Sequence, residues 1–173
     1  MNEKRQYKNK EVAKMQRTQS EETKKTRMRR LNVVKLQMLK EKIFPYNTNV
    51  IRSPIDAVDL FREFIGKEDR EHFVLLCLDT KNKITALNTV SIGSLNAAIV
   101  TPREIFKTAI LANSCSIIVT HNHPSGCPIE SREDIEISKR IKNAGDIVGI
   151  QLLDHIILGD DGKYTSLKEK GYI

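Results

Sequence analysis

The chain has 173 residues, 29 Lys and Arg against 22 Asp and Glu, a net charge of +7, and 39% apolar residues. Its three cysteines, Cys77, Cys115 and Cys127, are odd in number and lack Cys-x-x-Cys spacing, which argues against a disulfide framework and a structural zinc ribbon. The polar N-terminus has no apolar core for a signal peptide and no apolar run approaches the roughly 20 residues of a membrane span, so a soluble, cytoplasmic protein is expected.

Charge divides the chain. Residues 1–42 hold 14 Lys and Arg against 5 Asp and Glu, a net of +9, and residues 43–173 hold 15 against 17, a net of −2. From Lys4 to Arg30 there are too few apolar residues for a core, and no glycine or proline. Such an arm is either helical when bound or a solvated, disordered tail. Basic and poor in aromatics, it suits phosphate contacts to nucleic acid without base reading. After Met28, the apolar residues Leu31, Val34, Met38 and Leu39 recur at helical spacing, predicting a short docking helix that ends by Pro45. These features assign residues 1–48 to a basic extension and 49–173 to one domain.

In chain order, that domain reads as a helix over 54–65, with an apolar face of Ala57, Leu60, Phe61, Phe64 and Ile65, then strands over 73–78 and 84–92. A helix starts at Pro102 behind a Thr101-x-x-Glu104 capping pattern, and a buried strand covers 117–120. The next helix starts at Ser131, carries Ile137, Ile141 and Ala144, and is expected to close at Gly145. Strands around 152–158 and at Tyr164 complete a single α/β domain of roughly 120 residues, long enough for one core.

Two of the four histidines, His121 and His123, directly follow the strand Ile117-Ile118-Val119-Thr120. Side chains at i and i+2 of an extended chain share a face, so both imidazoles turn toward one point. A catalytic zinc takes three protein ligands and leaves a fourth position to water, so a carboxylate is needed. Asp134 is the best placed, because the turn formers Pro124-Ser-Gly-Cys-Pro128 fold the chain back before its helix. Ser131-x-x-Asp134 is equally a helix-capping pattern, and that reading stays open. Cys127 as a further ligand would close the position that water needs. Asp154 or His155 is a candidate to orient a metal-bound histidine.

His121-x-His123, seven intervening residues, Ser131, two residues and Asp134 resemble the metal motif of the JAMM, or MPN+, metalloproteases. Thr-His-Asn-His-Pro-Ser-Gly followed by Ser-Arg-Glu-Asp-Ile resembles the RadC branch of that family, and the similarity extends over residues 51–173. The chain departs from the usual wording at Cys127 and Glu130, with the ligand spacing intact. The resemblance implies a single JAMM/MPN domain, a curved mixed sheet with flanking helices and a cytidine-deaminase-like architecture. It implies one zinc ion per chain on His121, His123 and Asp134, and a peptide or protein substrate. Deamination is disfavoured, since a zinc deaminase needs His-x-Glu and a later Pro-Cys-x-x-Cys.

The family also requires an upstream glutamate as general base. Glu71, just ahead of the strand at Phe73, fits, with Glu63, Glu68 and Glu104 as competitors. Glu63 falls on the solvated side of its helix and Glu104 in a cap. Glu71 would take a proton from water activated by zinc, hydroxide would attack an amide carbonyl, and Ser131 would help stabilise the oxyanion. The alternative is a nucleic-acid-associated module whose metal site is vestigial or used differently, favoured by the basic arm. The sequence leaves the oligomeric state open.

Overall fold

The computed structural model describes Glu11, Lys14 and residues 30–93 and 100–173. The chain divides into units of residues 1–35 and 36–173. Apart from Glu11, Lys14 and Arg30, the stretch from Lys4 to Arg30, expected to be helical when bound or a disordered tail, lies outside the described residues. The short helix predicted after Met28 does not form. Residues 30–46 have no regular secondary structure, and Leu31, Val34 and Leu39 are exposed. A few apolar residues without a surface to cover leave such a segment without the packing that supplies most helical stability.

The domain runs α1 (Pro54–Ile65), β1 (His72–Leu78), β2 (Ile84–Ile92), α2 (Pro102–Leu111), β3 (Ser116–Asn122), α3 (Arg132–Val148), β4 (Gln151–Leu158) and β5 (Tyr164–Ser166). The strands form one mixed sheet in the order β2-β1-β3-β4-β5, in which only β3 and β4 run parallel. This is the mixed α/β arrangement expected. Strands β1 and β3 are buried along their whole length, as continuous apolar runs with both faces covered should be.

Alternation along the strands separates two cores. Phe73, Leu75, Cys77, Ile117 and Val119 pack with Ile105 and Phe106 of α2 and Ile137 and Ile141 of α3. On the opposite face Val74, Leu76, Leu78, Ile118 and Ile156 pack with Ala57, Val58, Phe61 and Ile65 of α1. The sheet is therefore clamped between α1 and the pair α2/α3, and its central strand β3 delivers the histidines at its C-terminal end.

Helix α1 is opened by Asp56, whose Oδ2 accepts from the backbone N–H of Arg52 at 2.8 Å and of Ser53 at 3.0 Å. Thr101 stands at the N-cap of α2, but no side-chain cap bond forms there. Helix α3 does not stop at Gly145. It runs on to Val148 and ends on Gly149, whose φ of 79° is the left-handed conformation of a C-terminal stop. Gly145 has another task, since a Cβ there would lie 2.4 Å from the Ile150 carbonyl oxygen and 3.3 Å from the Phe106 ring.

Gly→Ala inside a helix ordinarily stabilises by about 0.5–1 kcal/mol. At Gly145 the sign reverses: Gly145→Ala is expected to lower stability by about 1–3 kcal/mol, because backbone must shift. Urea denaturation checks this, and an unchanged or raised midpoint would contradict the close approach.

Candidate metal centre

Register sets the geometry of the site. Phe73 of β1 pairs with His121 of β3, and its ring lies parallel to the imidazole at 6.2 Å between centroids. His121 is fully buried, whereas His123, one step past the strand, is partly open. The turn after them is pinned to the β4–β5 connection: the His123 N–H donates to Leu158 O at 3.0 Å, and the Asp160 N–H to Gly126 O at 2.9 Å. Gly126 has φ of 75°, the left-handed conformation that favours glycine, and a Cβ there would also displace the Asp160 carboxylate.

The turn hands the chain to α3, where Ser131 is the N-cap. Its backbone N–H and its hydroxyl both donate to Asp134 Oδ2 at 2.7 Å, and its Oγ accepts from the Asp134 N–H at 3.1 Å. The capping reading of this pair is thus present in the hydrogen bonds. The cap holds the Asp134 carboxylate with Oδ1 3.3 Å from His121 Nε2 and Oδ2 3.7 Å from His123 Nε2. The Ser131 hydroxyl proton is committed to Asp134 Oδ2 in this arrangement.

The tautomers of both histidines are assigned by their hydrogen bonds. The Ser138 hydroxyl has one proton, and it donates to the Asp134 carbonyl at 2.5 Å. With that proton on the carbonyl, His155 Nδ1, 2.5 Å from the same oxygen, carries a proton and donates. Burial pushes His155 down to about 4, so the ring is neutral and its Nε2 accepts. It accepts from His121 Nδ1 at 2.8 Å, which leaves the His121 Nε2 lone pair bare. His123 Nδ1 donates to Cys127 O at 2.7 Å, so its Nε2 is bare as well when the ring is neutral. The two Nε2 atoms lie 3.0 Å apart.

Two lone pairs and a carboxylate at such separations repel unless a positive species lies among them. Burial, with the neighbouring His155, holds His121 well below the usual imidazole range. His123 moves the other way, because its interaction with Asp134 favours the proton against partial burial, helped by Cys127 O and the Glu71 charge. Burial raises the Asp134 carboxyl, but the histidines and the Ser131 cap outweigh it and hold the group below its ordinary value. A proton on His123 or a metal cation would relieve this repulsion. Ligand atoms of tetrahedral zinc stand about 3.3 Å apart at bond lengths near 2.05 Å, so the donor set fits.

Glu71, His121 and His123 each offer a ligand atom within 4.8 Å of the others. Among the expected competitors, Glu63 and Glu104 are exposed on their helices, and Glu68 lies at 4.0 Å from His72 Nε2. Cys127 is exposed and contributes its carbonyl to His123. Asp154 accepts from Ser166 Oγ at 2.6 Å and from the His155 N–H at 2.7 Å, holding the strand that carries His155. A cleft of about 300 Å³ opens beside His123, bordered by Arg62, Lys67, Glu68, Asn122 and Asp160. Sequence reasoning overlooked Ser138 and Asn122. Ser138 is four residues beyond Asp134 and so on the same helix face, a signal that was there to read.

Residues 51–172 match the family described as RadC-like JAB domain. The UPF0758 protein of Desulforamulus reducens is 54% identical over 124 residues, covering 72% of this chain and 54% of that protein. The UPF0758 protein YsxA of Bacillus subtilis is 52% identical over 124 residues, covering 72% of this chain and 53% of the relative. The chain thus spans about half the length of these curated relatives. No helix among the described residues is long and apolar enough to cross a membrane.

The buried, neutral His155 makes the metal-free protein acid-sensitive. Its basicity is depressed from 6.5 to about 4, so the unfolded chain binds the extra proton first and stability falls as pH drops between those values. The loss amounts to about 3 kcal/mol. Chelator-treated protein should show its urea midpoint falling across that window, and His155→Asn should fall less. Equal slopes for both would contradict a buried neutral His155.

Proposed function

Given that this chain belongs to the family of RadC-like JAB domains, we propose that it is a zinc-dependent hydrolase, a metallopeptidase or isopeptidase, with His121, His123 and Asp134 as metal ligands and Glu71 as general base. The observation that carries this reading is the pair of Nε2 atoms 3.0 Å apart, both turned toward the Asp134 carboxylate and within reach of the Glu71 carboxylate. A structural histidine pair has no need of both lone pairs turned inward. Zinc held there supplies Lewis acidity, bringing the pKa of water down toward about 7.

The protein's own groups then divide the work. His155 and the Cys127 carbonyl hold the two imidazoles by Nδ1, so that both Nε2 atoms stay aimed at one point. The Ser131 backbone and hydroxyl keep Asp134 ionised and oriented. The Glu71 carboxylate takes a proton from the attacking water and returns it to the leaving nitrogen as the amide C–N bond breaks. The Ser131 hydroxyl is also our candidate for the oxyanion, for which its proton must turn from Asp134 toward the substrate. The cleft beside His123 adjoins the site through that residue, while Glu71, Ser131 and Asp134 do not line it.

Purified protein is expected to retain one zinc ion per chain under non-chelating conditions, and His123→Ala and Asp134→Ala to lose at least tenfold in zinc affinity. Full retention by both variants, or no zinc in the wild type, would sink the assignment. At zinc concentrations that saturate the variant, Glu71→Gln should bind the metal no more than severalfold more weakly and cut the hydrolysis of amide- and isopeptide-linked peptide probes by about 10²–10⁴-fold. Unchanged turnover in that variant would remove Glu71 as base.

A further inference from the structure

We infer that Asn122, the residue between the two histidines, is a positioning residue that fixes Glu71 against the metal site. The inference rests on the reading of Glu71 as the base. Side chains alternate along β3, so Asn122 lies on the face opposite His121 and His123, away from the metal. It is nevertheless buried, with 7% of its surface exposed.

The β1–β3 ladder ends at the pair Phe73 and His121. Continued by two residues, the same register would set Glu71 opposite His123, on the face that carries both imidazoles. Past Phe73 the backbone rung is replaced by a side chain. Asn122 Oδ1 accepts from the His72 N–H at 2.7 Å, and Asn122 Nδ2 donates to the Arg70 carbonyl at 2.9 Å. These two backbone groups flank Glu71 on either side. The Glu71 carbonyl itself accepts from the Gly93 N–H at 2.8 Å, so the backbone at this residue is held from both neighbouring strands.

A carboxamide is suited to this bridge because it offers a donor and an acceptor on one rigid group. Aspartate keeps the acceptor and loses the donor; alanine loses both. The residue that separates the two ligands in sequence thereby ties the base, some fifty positions upstream, to the strand that bears them.

The test is a double-mutant cycle on zinc affinity in the full chain, read by competition with a chromophoric chelator. With Asn122 intact, Glu71→Gln is expected to weaken zinc binding severalfold, through loss of a carboxylate beside the cation. In the Asn122→Ala background the same change should cost less than twofold, and in Asn122→Asp an intermediate amount. Amide exchange at His72 should quicken at least tenfold in Asn122→Ala. A Glu71→Gln step of equal size in all three backgrounds overturns the inference and leaves the base reading standing. No effect of Glu71→Gln with Asn122 intact removes Glu71 from the site, and both readings with it. Should Asn122→Ala fail to fold, the Asn122→Asp arm decides by the same criterion.

Discussion

The structure is organised around an electrostatic conflict at the end of its central strand. His121 is fully buried with its Nε2 turned into the site, His123 presents a second Nε2 at 3.0 Å, and Asp134 brings a carboxylate to 3.3 Å from His121 Nε2. Unpaired acceptors in such a setting cost several kcal/mol. Only a positive species relieves them all at once. A proton on His123 would do so, and the pull of Asp134 raises the basicity of that imidazole. A divalent cation does so better, and must displace that proton to bind.

Each neighbouring element keeps the conflict in place. The sheet holds His121 by the Phe73 register, and the backbone bonds of His123 to Leu158 and of Asp160 to Gly126 return the chain after His123. The start of α3 serves capping and the site with the same atoms: Asp134 Oδ2 accepts from Ser131 while Oδ1 faces His121. A cap of this kind is worth about 1 kcal/mol, so its loss would be felt in stability as well as in binding. Ser138, bonded at once to the Asp134 carbonyl and to His155, links the orientation of one candidate ligand to the tautomer of another.

Much of this was legible in the sequence. The i, i+2 histidines after an apolar run, the turn formers behind them and the Ser131-x-x-Asp134 cap placed the cluster, because each is a local signal with a fixed geometric consequence. Strand β2 and the start of α2 fell where alternation and the Thr-Pro cap put them. The segment from Leu31 to Leu39 misled, since helical spacing says nothing about whether a surface is available to cover it. Gly145 misled differently: a glycine near a helix end signals a stop or a close contact, and only the approach of Ile150 distinguishes them. The Asn122 bridge was illegible, because it joins residues some fifty positions apart through a side chain on the face opposite the site.

X-ray absorption at the zinc edge of the metal-loaded protein tests the central claim most directly. The account predicts two imidazole nitrogens with further oxygen donors at about 2.0–2.2 Å and no sulfur. A sulfur shell at about 2.3 Å, which would bring in the Cys127 thiolate, or fewer than two imidazoles, would contradict it.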